Sequence, residues 1–281
     1  MEIPPYWVKA AGECLTRDGR RLGVAVWGWG RDRAVAGREA AGRLQRLLER
    51  IRRGEPFPPA YAYGSRPRRE EIVQTVEGPL EHPTAVLTRN RYGAVVLNTT
   101  RLLFLDVDLP PVTLAQRLRR LITRPRADPA DPTLARLREA LLRSRPAATF
   151  RLYRTAAGFR ALAIDREFDP AGRDTQELMH VAGADPAFVR LCRAQQSFRA
   201  RLTPKPWRCR CSLPPGEHPR EEDAQRRRFA AWRDAYDKAS ARYATCRYVE
   251  TVGTGSLIQG ARALVALHDR MTRCEQSLPL A

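Results

Sequence analysis

Two aspartates, Asp106 and Asp108, stand one residue apart at the end of an apolar stretch, residues 101–109. Such a stretch is typical of a strand buried on both faces, and residues i and i+2 of a strand project to the same side. Two adjacent carboxylates repel each other unless a cation or protons lie between them, and oxygen ligands of this kind suit Mg²⁺ or Mn²⁺. The pair is therefore a candidate metal site. The alternative is that both aspartates cap the turn begun by Pro110 and Pro111.

A tight turn between two predicted strands is the second candidate. Residues 148–154 and 159–165 alternate as strands on either side of Thr155-Ala-Ala-Gly158. A glycine lets a phosphate approach the backbone, and Arg160 beside it offers paired N–H donors to phosphate oxygens. The pattern therefore predicts a phosphate-binding turn, with a plain β-hairpin as the alternative.

A basic, proline-containing segment over residues 195–208 is the third candidate. It places Arg199, Arg201 and Lys205 beside Trp207. In a protein that binds nucleotides or nucleic acid, cations contact phosphates and an aromatic ring stacks on a base. The alternative is a rigid connector whose prolines prevent a helix and whose tryptophan covers the core.

The order of the strand with Asp-x-Asp, two helices and two strands around the turn resembles the catalytic core of the archaeo-eukaryotic primase (primase-polymerase) superfamily. The resemblance covers about residues 95–170. It implies that Asp106 and Asp108 hold the divalent metal ions of a nucleotidyl-transfer site. The full chain also resembles a bacterial protein family, but that resemblance implies no particular activity.

The same resemblance assigns roles to the turn and predicts a third acid. Thr155, Gly158 and Arg160 stand at the element that contacts the incoming nucleotide's phosphates, with arginine where the family carries histidine. A later carboxylate completes the catalytic set in that family. Asp165, or Asp169 after it, is the candidate for this third position.

The charge balance favours an anionic partner. The 281 residues include 50 Lys and Arg against 31 Asp and Glu, a net charge of +19. Only Lys9, Lys205 and Lys238 are lysines. A GC-rich genome would favour arginine over lysine but would not explain the excess of basic residues. We therefore expect a nucleotide or single-stranded nucleic acid as the partner.

No apolar run approaches the roughly 20 residues that span a bilayer, and no secretory signal stands at the N-terminus. A cytoplasmic protein without a membrane partner is expected, and its six cysteines are expected to be free thiols. No zinc site is expected at Cys209, Cys211, His218 and Cys246, because the spacing departs from the usual two-residue gap between paired ligands.

The predicted fold is α+β, with a central, mostly antiparallel (RRM- or palm-like) sheet flanked by helices. Residues 1–210 form the sheet domain and residues 211–281 a helical extension packed on it. Residues 1–21 are expected to be irregular, residues 22–29 to form a strand, and Asp32 to begin a helix. Residues 85–88 and 94–98 are expected to pair as a hairpin around a turn at residues 90–93. Helices are expected over residues 113–123 and 132–143, and one long helix over residues 221–248. Loop 55–70 interleaves aromatics with arginines, a pattern compatible with either nucleic-acid contact or a plain connector.

Two functions follow from these patterns. The first is a metal-dependent nucleotidyltransferase-like or nucleotide-binding domain that uses Asp106 and Asp108. The alternative is a non-catalytic nucleic-acid-binding protein, or an accessory protein with a basic surface. A third carboxylate near Asp106 favours catalysis, and its absence favours binding.

Overall fold

The computed structural model describes residues 1, 3–56, 66–78, 83–110 and 131–281. These ranges contain six α-helices and ten strands, which confirms the α+β class. The strands are β1 (Tyr6–Leu15), β2 (Arg21–Gly30), β3 (Glu71–Glu77), β4 (Ala85–Arg89), β5 (Val95–Thr99), β6 (Phe104–Asp108), β7 (Phe150–Thr155), β8 (Gly158–Ala163), β9 (Phe198–Arg201) and β10 (Cys246–Val252). The helices are α1 (Arg33–Arg52), α2 (Pro132–Ser144), α3 (Arg173–Val181), α4 (Pro186–Gln195), α5 (Asp223–Ser240) and α6 (Gln259–Thr272).

The strands are divided among three antiparallel sheets instead of one central sheet. Their orders are β1-β2, β3-β4-β5-β9 and β10-β7-β8-β6. The two four-stranded sheets adjoin where β6 lies beside β9. None of the helices in the described ranges has the length and hydrophobicity that crossing a bilayer requires.

Strands β1 and β2 form an N-terminal hairpin that is covered by helix α1. The expectation of an irregular lead-in over residues 1–21 is wrong, because Tyr6–Leu15 pairs with β2 along its whole length. Helix α1 packs closely on one face of this hairpin: a Cβ on Gly28 would lie 2.1 Å from the Ala40 nitrogen. Since strand side chains alternate, Trp7, Trp27 and Trp29 share the face opposite Gly28.

The second sheet contains a hairpin that the sequence predicts. Strands β4 and β5 pair around a turn at residues 90–93, and the side chain of Asn90 accepts hydrogen bonds from the N–H groups of Tyr92 and Ala94. Gly93 adopts a φ of 87°, which a residue without a Cβ accommodates. Strand β9 then runs antiparallel to β5 and ends at Arg201.

The third sheet forms most of the hydrophobic core and contains the Asp-x-Asp strand. Strand β6 pairs with β8 so that Asp106 lies opposite Arg160 and Asp108 opposite Gly158. Helix α6 covers this sheet, with His268 between the rings of Phe104 and Tyr153. The core around these strands is built of closely packed aliphatic and aromatic side chains.

The C-terminal region differs from the predicted helical extension. The single helix expected over residues 221–248 ends at Ser240, and β10 follows and pairs with β7. Residues 246–252 alternate between buried and more exposed positions and include two valines and a threonine, so a strand suits them better than a helix. The C-terminal region therefore contains helices α5 and α6 and a strand, β10, that belongs to the third sheet. The helix predicted at 113–123 and most of loop 55–70 lie outside the described residues.

Candidate functional site

Asp106 forms a bidentate ion pair with the arginine opposite it on β8. Arg160 Nε donates to Asp106 Oδ1 at 2.7 Å and Nη2 donates to Oδ2 at 3.0 Å. The Arg160 side chain is 1% exposed, while that of Asp106 keeps 39% exposure. Burial raises the pKa of Asp106, but the Arg160 guanidinium more than offsets this, so its pKa lies below the ordinary value. Both carboxylate oxygens are thus engaged by a buried cation.

Arg160 is held in place by a buried chain of polar groups. Its Nη1 donates to the Arg201 carbonyl at 3.0 Å and lies 3.2 Å from His268 Nε2. His268 Nδ1 lies 2.8 Å from Asp269 Oδ1, which also accepts a hydrogen bond from the Tyr153 hydroxyl. Burial lowers the pKa of His268, so its imidazole is neutral near pH 7. A neutral ring that donates from Nδ1 and accepts at Nε2 satisfies both neighbours. Arg160 is therefore held by protein groups, and this geometry favours a structural role over phosphate contact.

The turn before β8 is a plain hairpin turn. The Thr155 hydroxyl accepts hydrogen bonds from the N–H groups of Ala157 and Gly158, at 3.3 and 3.0 Å. A Cβ on Gly158 would lie 1.9 Å from the Val107 carbonyl oxygen, so glycine allows β8 to approach β6. The N–H groups that the phosphate hypothesis needs are already engaged. The geometry supports the hairpin alternative for Thr155 and Gly158.

Among the described residues, no third carboxylate joins Asp106 and Asp108 in a group of possible metal ligands. Asp165 lies beyond the opposite end of β8 from Asp108 and pairs with Arg166 at 3.1 Å. Asp169 accepts a hydrogen bond from the Ala171 N–H in a separate turn. Neither placement supports a catalytic role for these acids.

The donors around Asp106 do not fit a divalent metal ion. Within the described residues, a set of three or more possible ligand atoms lying within 4.8 Å of one another occurs only at Asp269, Cys274 and Glu275. Asp106 belongs to no such group and is neutralised by Arg160. Asp108 is exposed and interacts electrostatically with Lys205. Carboxylates that are already matched by cations attract a metal ion weakly.

Arg199, which the sequence suggests as a phosphate ligand, is occupied by a buried acid. Its Nη2 donates to both oxygens of Glu70 at 2.8 Å, and its Nη1 donates to Gln195 at 3.1 Å. Burial raises the pKa of Glu70, but Arg199 more than offsets this and holds the pKa below its ordinary value. The pair ties β9 to the residue that precedes β3. Arg199 therefore contributes to the wall of the site mainly by fixing its shape.

Arg201 lines the site without an ion-pair partner among the described residues. No carboxylate of the described residues pairs with it, and its buried Nε–H has no hydrogen-bond partner among them. Burial, with Arg160 nearby, lowers the pKa of Arg201 to about 10, so it remains protonated at pH 7. Burial also lowers the pKa of Lys205, and the neighbouring Arg201 and Arg208 lower it further. Crowded cations without matching acids favour the binding of an anion.

A cavity of about 710 Å³ lies between the N-terminal hairpin and the second sheet. Its lining includes Asp106 together with two other acidic residues, Glu70 and Glu217. Among the described lining residues, seven arginines outnumber these acids: Arg43, Arg66, Arg68, Arg69, Arg91, Arg199 and Arg201. The cavity is therefore positively charged although Asp106 lies in its wall.

Three of the chain's five tryptophans, Trp7, Trp27 and Trp29, also line this cavity. The guanidinium of Arg43 lies 4.4 Å from the centre of the Trp29 ring, and that of Arg69 lies 4.4 Å from the Trp27 ring. Cations stacked on indoles produce a wall that offers both charge and flat aromatic surface. These residues are not among the predicted site residues, although Trp27-Gly-Trp29 on one predicted strand places two indoles on one face.

A second aromatic pair lies at the rim. Tyr92 lines the cavity and contacts Trp207 edge-to-face, with ring centres 5.3 Å apart. Trp207 is 49% exposed, and Lys205 Nζ lies 5.4 Å from its ring. Trp207 is thus accessible, as the stacking hypothesis requires, and Lys205 lies beside it.

Cys209, Cys211, His218 and Cys246 supply no set of three neighbouring donor atoms among the described residues. Cys209 Sγ donates to the Pro206 carbonyl at 3.2 Å. Burial raises the pKa of Cys246 to about 11. All six cysteines are free thiols.

Comparisons of the chain with protein-family models, with curated proteins and with solved structures find no match. The charges and geometry of the cavity are therefore what supports a function.

Proposed function

We propose that the protein binds a nucleotide or single-stranded nucleic acid in this cavity, without catalysing nucleotidyl transfer. One observation carries the proposal: seven arginines and four Trp or Tyr side chains line the same cavity. Arginines bind phosphates, and aromatic rings stack on bases of any sequence, each stack contributing about 1–3 kcal/mol.

The size and surface of the cavity favour unpaired bases. Its volume of about 710 Å³ falls within the roughly 300–1,000 Å³ of small-molecule sites. A duplex keeps its bases stacked inside, whereas a nucleotide or a strand end presents a free base face to an indole. Trp27 and Trp29 in the cavity and Trp207 at its rim provide such surfaces.

The charges around Asp106 favour a binding function over catalysis of nucleotidyl transfer. Phosphoryl transfer requires carboxylates that hold divalent cations against the nucleotide. Here Asp106 is paired with Arg160, and neither Asp165 nor Asp169 lies near it. A cytoplasmic location accords with a nucleotide or nucleic-acid partner and forms part of the proposal.

The direct test is equilibrium binding of a fluorescein-labelled oligothymidylate to the full chain, followed by anisotropy at several salt concentrations. We expect binding that weakens steeply with salt, because phosphate contacts release counterions. Arg43→Gln and Arg201→Gln should each weaken it, since both residues line the cavity.

Arg262→Gln is the matched control. This arginine is exposed on α6, does not line the cavity, and loses the same single charge on substitution. Equal losses in all three variants would indicate nonspecific surface binding and overturn the proposal. Addition of EDTA should leave the affinity unchanged, and Mg²⁺-dependent nucleotide incorporation would refute the non-catalytic assignment.

A further inference from the structure

The irregular segment after β9 is held unusually firmly for a loop. The Thr245 hydroxyl donates to the Leu202 carbonyl at 2.9 Å, and Thr203 Oγ1 accepts from the Val95 N–H at 2.8 Å. The buried hydroxyl of Tyr236 then donates to the Pro204 carbonyl at 2.6 Å. These bonds fix the backbone between Arg201 and the short 3₁₀ turn at Pro206–Arg208.

Three cations project from this fixed segment, and we call Arg201, Lys205 and Arg208 the basic cluster. They interact with one another, because Arg201 and Arg208 both lower the pKa of Lys205 after the larger effect of burial. Asp108 has the opposite influence on Lys205. Because the backbone that carries these cations is already fixed, little conformational entropy is lost when a ligand binds.

The basic cluster has a charge excess of two. Arg160 and Asp106 neutralise each other, so in the described part of the chain the three cations are opposed by one remaining acid that acts on Lys205, Asp108. An internal phosphodiester carries one negative charge, whereas a terminal phosphate carries about −1.5 to −2 at pH 7. A terminal phosphate therefore matches the excess more closely.

We propose that the basic cluster binds the terminal phosphate of a nucleotide or strand end in preference to an internal phosphodiester. This inference rests on the proposed function and names the group that the site selects. The adjoining ring of Trp207, 5.4 Å from Lys205 Nζ, offers a stacking surface for the base next to that phosphate.

The test compares matched oligothymidylates that carry a phosphate or a hydroxyl at the 5′ end, and a second pair that differs at the 3′ end. Each strand is labelled at its other end and titrated with the full chain at constant salt. We expect one phosphorylated end to bind roughly tenfold more tightly than its hydroxyl counterpart. The comparison is made within the unmodified protein, so it does not depend on a variant that folds.

Variants then locate the effect. Arg201→Gln and Lys205→Gln should bring the ratio of the two affinities close to one, whereas Arg262→Gln should leave it unchanged. Lys205→Gln provides the second variant if the more deeply buried Arg201→Gln does not fold. A ratio that persists in Lys205→Gln would refute the basic cluster as the phosphate site.

The possible outcomes separate this inference from the proposed function. If the strands bind but neither terminal phosphate matters, the inference fails and nucleic-acid binding stands. If neither the strands nor thymidine monophosphate bind, both fail. If thymidine monophosphate competes with a phosphorylated strand, a free nucleotide can supply the terminal phosphate. If the phosphorylated strand binds selectively and the monophosphate does not compete, the ligand is the strand end.

Discussion

Asp106→Ala should destabilise the fold, whereas Asp108→Ala should not. Asp106 holds the Arg160 guanidinium, which is 1% exposed, through hydrogen bonds of 2.7 and 3.0 Å. Removal of one partner of a buried ion pair costs about 3–5 kcal/mol, because the other charge remains buried. Since Asp106 is itself 39% exposed, solvent screens part of the pair, and the lower end, about 3 kcal/mol, is expected. Exposed Asp108 should contribute within about 0.5 kcal/mol.

Urea denaturation followed by tryptophan fluorescence measures both free energies of unfolding. The double variant Asp106→Leu/Arg160→Leu should be more stable than either single leucine variant, because it leaves no buried charge unpaired. Equal, small effects of Asp106→Ala and Asp108→Ala would refute the assignment of Asp106 to a structural pair.

The same pair predicts a pH dependence. The folded-state pKa of Asp106 is depressed, so its contribution to stability is present above the unfolded-state pKa of about 3.9. That contribution is lost as the pH falls through the lower folded-state value. The difference in stability between the unmodified chain and Asp106→Ala should therefore be full at pH 6–7 and shrink below about pH 4.

Three further substitutions test other parts of the account. Glu70→Ala should lower the free energy of unfolding by about 3–5 kcal/mol in urea denaturation, because it leaves Arg199 buried and unpaired; a loss under 1 kcal/mol would contradict this. Trp207→Ala should weaken oligonucleotide binding about tenfold at unchanged stability, since the ring is 49% exposed, and unchanged affinity would remove it from the site. Gly158→Ala should lower the melting temperature, because its Cβ would lie 1.9 Å from the Val107 oxygen; an unchanged melting temperature would show that β8 can move away from β6.

Local sequence patterns predict several elements correctly. The apolar run before Asp106 forms β6, the turn at residues 90–93 joins β4 to β5, and Asp32 caps α1 by accepting a hydrogen bond from the Val35 N–H. These features depend on residues a few positions apart, where alternation, turn chemistry and capping determine the conformation. Strand β1 was missed because its middle, Lys9-Ala-Ala-Gly-Glu13, contains no β-branched or aromatic residue.

The side-chain partners could not be predicted from such patterns. Asp106 and Arg160 are 54 positions apart, and Glu70 and Arg199 are 129 apart, so only the registers of assembled sheets bring them together. Without those registers, an aspartate that binds a metal and an aspartate that neutralises an arginine have the same local sequence. The charge excess indicated an anionic partner, but that Arg201 lines the cavity without an ion pair among the described residues is visible only in the assembled structure.

Photo-crosslinking tests the location of the ligand most directly. Oligonucleotides that contain 5-iododeoxyuridine are irradiated with the full chain, and the modified residues are identified by mass spectrometry. We expect cross-links at Trp27, Trp29, Tyr92 or Trp207, which line the cavity or its rim. Tyr248, on β10 at the edge of its sheet opposite β6 and outside the cavity lining, is the internal control. Cross-links concentrated at Tyr248 or at surfaces remote from the cavity would contradict the assignment of the cavity as the binding site.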